Sequence, residues 1–158
     1  MSLLITPADS AFSRCVRERA EWFCERCGTH YEHKPQGLHC SHYMGRGNWS
    51  TRFHPLNGVA LCYGCHQYVG SRPNEHSDLM WRLRGIVVVD ALRELANKPA
   101  RGLRKQTSAI AKHYRQELKR MQALRANGTV GTLEFSIAPQ CPDFAVPDFR
   151  QAMGDDAC

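Results

Sequence analysis

Apolar residues recur at helical spacing in three parts of the chain, and between the first two the pattern shortens to brief alternating runs. Phe12, Val16, Ala20 and Phe23 step by three or four, which predicts a helix over 7–23 with one buried face, capped by Asp9 or Ser10 and running directly into Cys24. The stretch "LHCSHYM" from Leu38 alternates like a short strand, and "VALC" from Val59 reads as a second. A glycine-rich connection joins them, ending in the turn signal Pro55-Leu56-Asn57-Gly58. "CYGCHQYVG" from Cys62 starts a helix. A further helix follows from near Asn74 or Ser77, with a break at Gly85, and Pro99 and Gly102 then interrupt it. Leu103, Ile110, Tyr114, Leu118, Met121 and Leu124 share one face of a long helix that Asn127-Gly128 ends. Beyond residue 128, small residues and acids predict a loosely ordered tail. No internal repeat is present. The pattern is α+β, with few and short strands.

At 158 residues the chain has room for one domain with a modest core and appendages. It lacks an apolar run long enough to span a bilayer, which takes about 20 residues. The opening "MSLLITPADSAFSRC" has no basic segment followed by a long apolar one, so it does not resemble a secretory leader and an intracellular location is expected. The net charge of +6 is uneven: residues 132–158 sum to −4, leaving +10 on residues 1–131. A basic body with an acidic tail points to a polyanionic partner, and nucleic acid is the commonest one.

An intracellular setting changes the meaning of the eight cysteines, because paired cysteines in a reducing compartment bind metal more often than they form disulfides. Cys24-x-x-Cys27 and Cys62-x-x-Cys65 are separated by 34 residues and can close one tetrahedral zinc site from four thiolates. Gly28 after the first pair suits a knuckle turn. Cys15, Cys40, Cys141 and Cys158 have no such pairing and read as buried or free thiols. The insert between the pairs exceeds usual finger spacing, and it carries His39, His42 and His54, with His66 directly after the last cysteine. A structural zinc needs none of these histidines.

The order of C-x-x-C, a strand ending in His42, a glycine-containing loop, Asn57 in "HPLNG" and His66 in "LCYGCH" resembles the HNH endonucleases of the ββα-metal class. It is most similar to phage NinG-type recombination nucleases, over about residues 22–85. The resemblance implies a zinc-stapled HNH core with an N-terminal helix over 1–85, a basic helical extension over 86–128 and an acidic tail over 129–158. It implies a metal-dependent DNA endonuclease, acting on branched or structured DNA in phage or prophage recombination, for which a homodimer is plausible. His42 would activate water, Asn57 would support the hairpin loop and His66 would bind a catalytic Mg²⁺ or Mn²⁺, or a further Zn²⁺. An uncharged imidazole suits the base near pH 7, and a divalent cation suits the phosphoryl charge. Many family members carry Asp or His directly before the base histidine, where this chain has Ser41, a poor ligand. His39 is then a candidate auxiliary ligand or the base itself, and His54 a third ligand, a phosphate contact or a loop surface residue. Strand alternation would put His39 and Ser41 on one face and His42 on the other. Arg46, Arg52, Lys112, Arg115 and Lys119 are candidate DNA contacts, or solvated cations; Trp49, Trp81 and Tyr114 read as packing residues. A non-catalytic zinc-stabilised DNA-binding or adaptor protein, or a protein-binding module on the same scaffold, would share these features.

Overall fold

The computed structural model describes residues 4–32 and 36–145. Helix α1 spans Pro7–Arg19. Its cap is Thr6 rather than Asp9 or Ser10: the Thr6 hydroxyl accepts from the Asp9 amide, and the Asp9 carboxylate accepts from the Thr6 amide at 2.7 Å. Asp9 therefore closes a capping box from the third helical position, with Pro7 pre-set for the first turn. The helix stops four residues short of the expected end. Glu21 and Trp22 adopt positive φ values of 50° and 61° and turn the chain toward the first cysteine pair. That turn leaves Phe23 41% exposed against the His30 ring instead of on the buried face.

Strands β1 (Leu38–His42) and β2 (Gly58–Cys62) form a two-stranded antiparallel sheet in regular register, with His42 opposite Gly58 and Leu38 opposite Cys62. Between them a 3-10 turn over Pro55–Asn57 closes the long hairpin loop. Helix α2 (Tyr63–Gly70) starts on the residue after β2. Next come α3 (Pro73–Arg84) and α4 (Ile86–Ala96), separated at Gly85, whose φ of +82° is costly for any residue with a Cβ. A short 3-10 turn over Leu103–Gln106 leads into α5 (Thr107–Ala126), and Gly128 at φ +87° terminates it.

The core lies where α1 packs between the sheet and α5. Phe12 makes edge-on contacts with Tyr114, Phe53 and Phe135 at centroid distances of 5.2, 6.1 and 5.9 Å. Tyr114 is the packing residue expected of it, and its hydroxyl bonds the Phe53 carbonyl. The segment after α5 is not loose where it is described: Phe135 and Ala138 are buried in this same core, and Leu133 donates to the Arg19 carbonyl. An aromatic on a polar stretch supplied the apolar surface that composition alone did not suggest. The end of the acidic tail, residues 146–158 with Cys158, lies outside the described residues.

Two buried ion-pair systems join the parts. Arg52 donates to both carboxylate oxygens of Asp9 at 2.9 and 2.7 Å, tying the hairpin loop to the start of α1. Arg19, fully buried, donates to the Pro55 and Gly58 carbonyls and lies 3.6 Å from Glu25, which also pairs with Arg84 at 2.9 Å and accepts from the Ala60 amide. Among the described residues, no helix is long and apolar enough to cross a membrane.

Candidate functional site

The sulfur atoms of Cys24, Cys27, Cys62 and Cys65 all lie within 4.8 Å of one another, with Cys27 and Cys62 at 3.9 Å. A tetrahedron with Zn–S bonds of about 2.3 Å has edges of about 3.8 Å, so the four thiols can hold a zinc ion. The first pair sits on the turn after α1; Cys62 ends β2 and caps α2, its sulfur accepting from the Cys65 amide at 3.4 Å. The Cys62 amide in turn donates to Cys24 Sγ at 3.3 Å. Such N–H···S bonds favour thiolates, as does the Arg26 guanidinium 3.5 Å from Cys65 Sγ. A hydrogen bond from Thr29 holds Cys27 down at about 6, whereas burial pushes Cys65 up to about 12. The charge of a bound dication would let all four ionise together. Of the other cysteines, Cys15 is fully buried and donates to the Tyr114 carbonyl, while Cys40 and Cys141 are half-buried free thiols.

Beside this cluster a cleft of about 320 Å³ is lined by His39, His42, His66, Arg46 and Arg17, among others. His39 and His42, at positions of opposite parity in β1, both line it, and among the described residues β1 pairs with β2 alone. Ser41 is buried and does not line the cleft, so its side chain is no part of this site. The rings of His39 and His66 stack at 5.7 Å, and His39 Nε2 is buried without a hydrogen-bond partner among the described residues. His66 is placed by α2 directly after Cys65, which sets the cleft beside the four-cysteine cluster. Burial, then the neighbouring His39 and Arg46, lower its basicity.

His42 Nε2 lies 3.1 Å from the Arg52 carbonyl. A carbonyl only accepts, so that nitrogen carries the proton and Nδ1 is left with a free lone pair. Burial, reinforced by Arg46, pulls His42 down to about 4, which keeps the ring neutral at physiological pH. Asn57 is fully buried below the loop: its Oδ1 accepts from the Met44 amide at 2.7 Å, and its Nδ2 donates to the Met44 and Thr51 carbonyls at 2.9 and 3.1 Å. It touches the loop rather than the cleft.

Other expected site residues fall elsewhere. His54 is neither a surface residue nor a cleft residue: it is buried, accepts from the Leu56 amide, bonds Asp143 at 3.1 Å and stacks on Phe144. Arg52 is 1% exposed and committed to Asp9, so its guanidinium is not presented to a phosphate. Arg46 does line the cleft. Lys112, Arg115 and Lys119 are exposed on α5, and Arg115 borders a shallow depression that shares Ile5 and Ser10 with the cleft. The contribution of α1 went unrecognised in the sequence: Asp9, Ser10, Ser13 and Arg17 form a polar wall opposite β1. Their spacing of one, three and four marked a polar helical face that could have been found. Asp9 brings no free charge, since Arg52 and Thr6 occupy its oxygens, so the cleft is positive. Among the described residues, only the four cysteines gather closely enough to form a ready metal-binding group.

The fold and site define an α+β chain in which a four-cysteine cluster, able to bind zinc, couples a knuckle to a strand–strand–helix unit. Comparisons with protein-family models, with curated proteins and with solved structures gave no match.

Proposed function

We propose that the chain is a metal-dependent DNA endonuclease of the HNH, ββα-metal kind, with its zinc as scaffold and the histidine cleft as its active site. The observation that carries this reading is the meeting of His39, His42 and His66 with Arg46 in one positive cleft on a strand–strand–helix unit. In this mechanism His42 Nδ1 takes the proton of the attacking water, its ring oriented by the Arg52 carbonyl. Arg46 holds the scissile phosphate, while Arg17, buried and bonded to the Leu38 carbonyl, adds positive charge from the wall. His66 and His39 would hold the divalent ion, which supplies charge stabilisation for the phosphoryl oxygens and the leaving 3′-oxygen. Two imidazoles without a carboxylate would suit a borderline ion such as Zn²⁺ better than Mg²⁺. Asn57 holds the loop that carries the Arg52 carbonyl. Branched DNA and a phage recombination setting belong to the same proposal through the motif resemblance.

A second reading is favoured by one observation: among the described residues no unpaired carboxylate lines the cleft, because Asp9 is taken by Arg52. A protein that binds DNA without cutting it would need none. Incubating plasmid and four-way-junction DNA with the zinc-loaded protein and Mg²⁺ or Mn²⁺ separates the two. The nuclease reading expects ion-dependent cleavage that His42→Ala reduces by about 10²–10⁴-fold, the usual worth of a general base. Intact DNA binding without cleavage under any divalent ion would leave the second reading standing.

A further inference from the structure

We propose that the groove between the hairpin loop and the α4–α5 connection grips a DNA phosphodiester backbone and leads it into the histidine cleft. The groove encloses about 580 Å³; residues 47–50 form one wall, and residues 96–105 the other. Every charged side chain lining it is cationic: Lys98, Arg101, Arg104 and Lys105. All four are exposed, and none is in an ion pair among the described residues. Elsewhere on the helical extension Arg93 pairs with Asp90, Arg120 with Glu117 and Arg125 with Glu18, whereas the exposed Lys112, Arg115 and Lys119 of α5 do not line this groove. Four unpaired like charges around one concavity repel one another, and a polyanion with regularly spaced phosphates relieves that repulsion.

The groove is also pre-formed. Asn48 Nδ2 donates to the Ala96 carbonyl at 2.8 Å and the Ser50 hydroxyl donates to the Lys98 carbonyl, clamping one wall to the other. Asn48 Oδ1 accepts from the Thr51 amide and hydroxyl, fixing its own orientation. Trp49, the aromatic in the groove, already carries the Arg52 guanidinium at 4.4 Å and that of Arg104 at 5.1 Å. A ring engaged in this way offers no platform for a base, so the groove suits backbone contact without sequence readout. Gly47 at the groove follows directly on Arg46 at the cleft, so both concavities open on the loop after β1.

The inference rests on DNA being the substrate, and its test does not depend on cleavage. A short fluorescein-labelled duplex is titrated with the zinc-loaded full chain across a salt series without Mg²⁺ or Mn²⁺, and anisotropy gives the affinity. The combined variant Lys98→Gln, Arg101→Gln, Arg104→Gln, Lys105→Gln should bind about tenfold or more weakly. Its log–log salt slope should become shallower by about 3.6, since each of four lost duplex phosphate contacts removes about 0.9. The charge-conserving variant, with Lys and Arg exchanged at the four positions, should bind like the wild type, which controls for folding. Wild-type affinity and slope in the glutamine variant would overturn the proposal. Because binding is read without a catalytic ion, either result leaves the cleavage test of His42 to stand or fall separately.

Discussion

Replacing Asn57 by alanine tests whether the hairpin loop is held by one side chain. Asn57 is fully buried and makes three hydrogen bonds, two to Met44 and one to Thr51. Each neutral hydrogen bond contributes roughly 1 kcal/mol net, and a buried partner left unpaired costs about 1–3 kcal/mol. Alanine leaves one amide and two carbonyls without their partner, and any of these that regains water recovers part of the cost. The expected destabilisation is about 3 kcal/mol, within a range of about 2–5, out of a total of about 5–15 for a domain. Urea titration of the zinc-loaded protein, followed by circular dichroism, should show an earlier midpoint at unchanged m-value, and the melting temperature should fall by about 6–12 °C. Asn57→Asp should rescue little: it keeps the acceptor for the Met44 amide but turns a carboxylate oxygen toward two carbonyls. A loss below about 1 kcal/mol for Asn57→Ala would refute the accounting, since even three average bonds exceed it.

The remaining expectations concern the metal and the pH. Chelating the zinc, or changing Cys65 to Ser, should unfold the knuckle and the start of α2 together, because the four sulfurs are the shared attachment of both. Structural zinc sites are worth about 10–16 kcal/mol in small peptides. The check is one zinc per chain, released on thiol modification with a parallel loss of helical signal; an unchanged cooperative melt of the metal-free protein would contradict it. For His42, the folded value near 4 lies below the ordinary 6.5, so the unfolded chain takes up the proton first as pH falls. The stability this ring contributes is therefore complete above about pH 6.5 and lost as pH falls toward 4. Between pH 7 and pH 5 the stability gap between wild type and His42→Gln should narrow by roughly 2 kcal/mol, at about 1.4 kcal/mol per pH unit below 6.5. Paired urea titrations at both values measure it, and a constant gap would show that His42 is not held neutral by burial.

Local chemistry was the part of this molecule legible in its sequence. The C-x-x-C pairs, the strand ending in His42, the Pro55–Gly58 turn, the break at Gly85 and the stop at Gly128 each depend on neighbours a few residues away. Spacing and residue type carry that information directly. The site residues divide along the same line. Cys24, Cys27, Cys62 and Cys65 gather because tetrahedral thiolate coordination is encoded in ligand type and number. Whether a cation faces solvent or another chain segment is not local. Arg46 and Arg52 look equivalent in the sequence, yet one lines the cleft and the other is buried against Asp9, 43 residues away.

Only the tertiary structure decided that α1 walls the cleft, that Phe135 from the polar tail completes the core, and that His54 caps a turn against Asp143. It also decided that His39 and His42, which alternation assigns to opposite faces of β1, line one cleft. The physical reason is common to these cases. Composition and periodicity state what a side chain can do, whereas the cost of burying a charge or an aromatic is settled by whatever the rest of the chain brings against it.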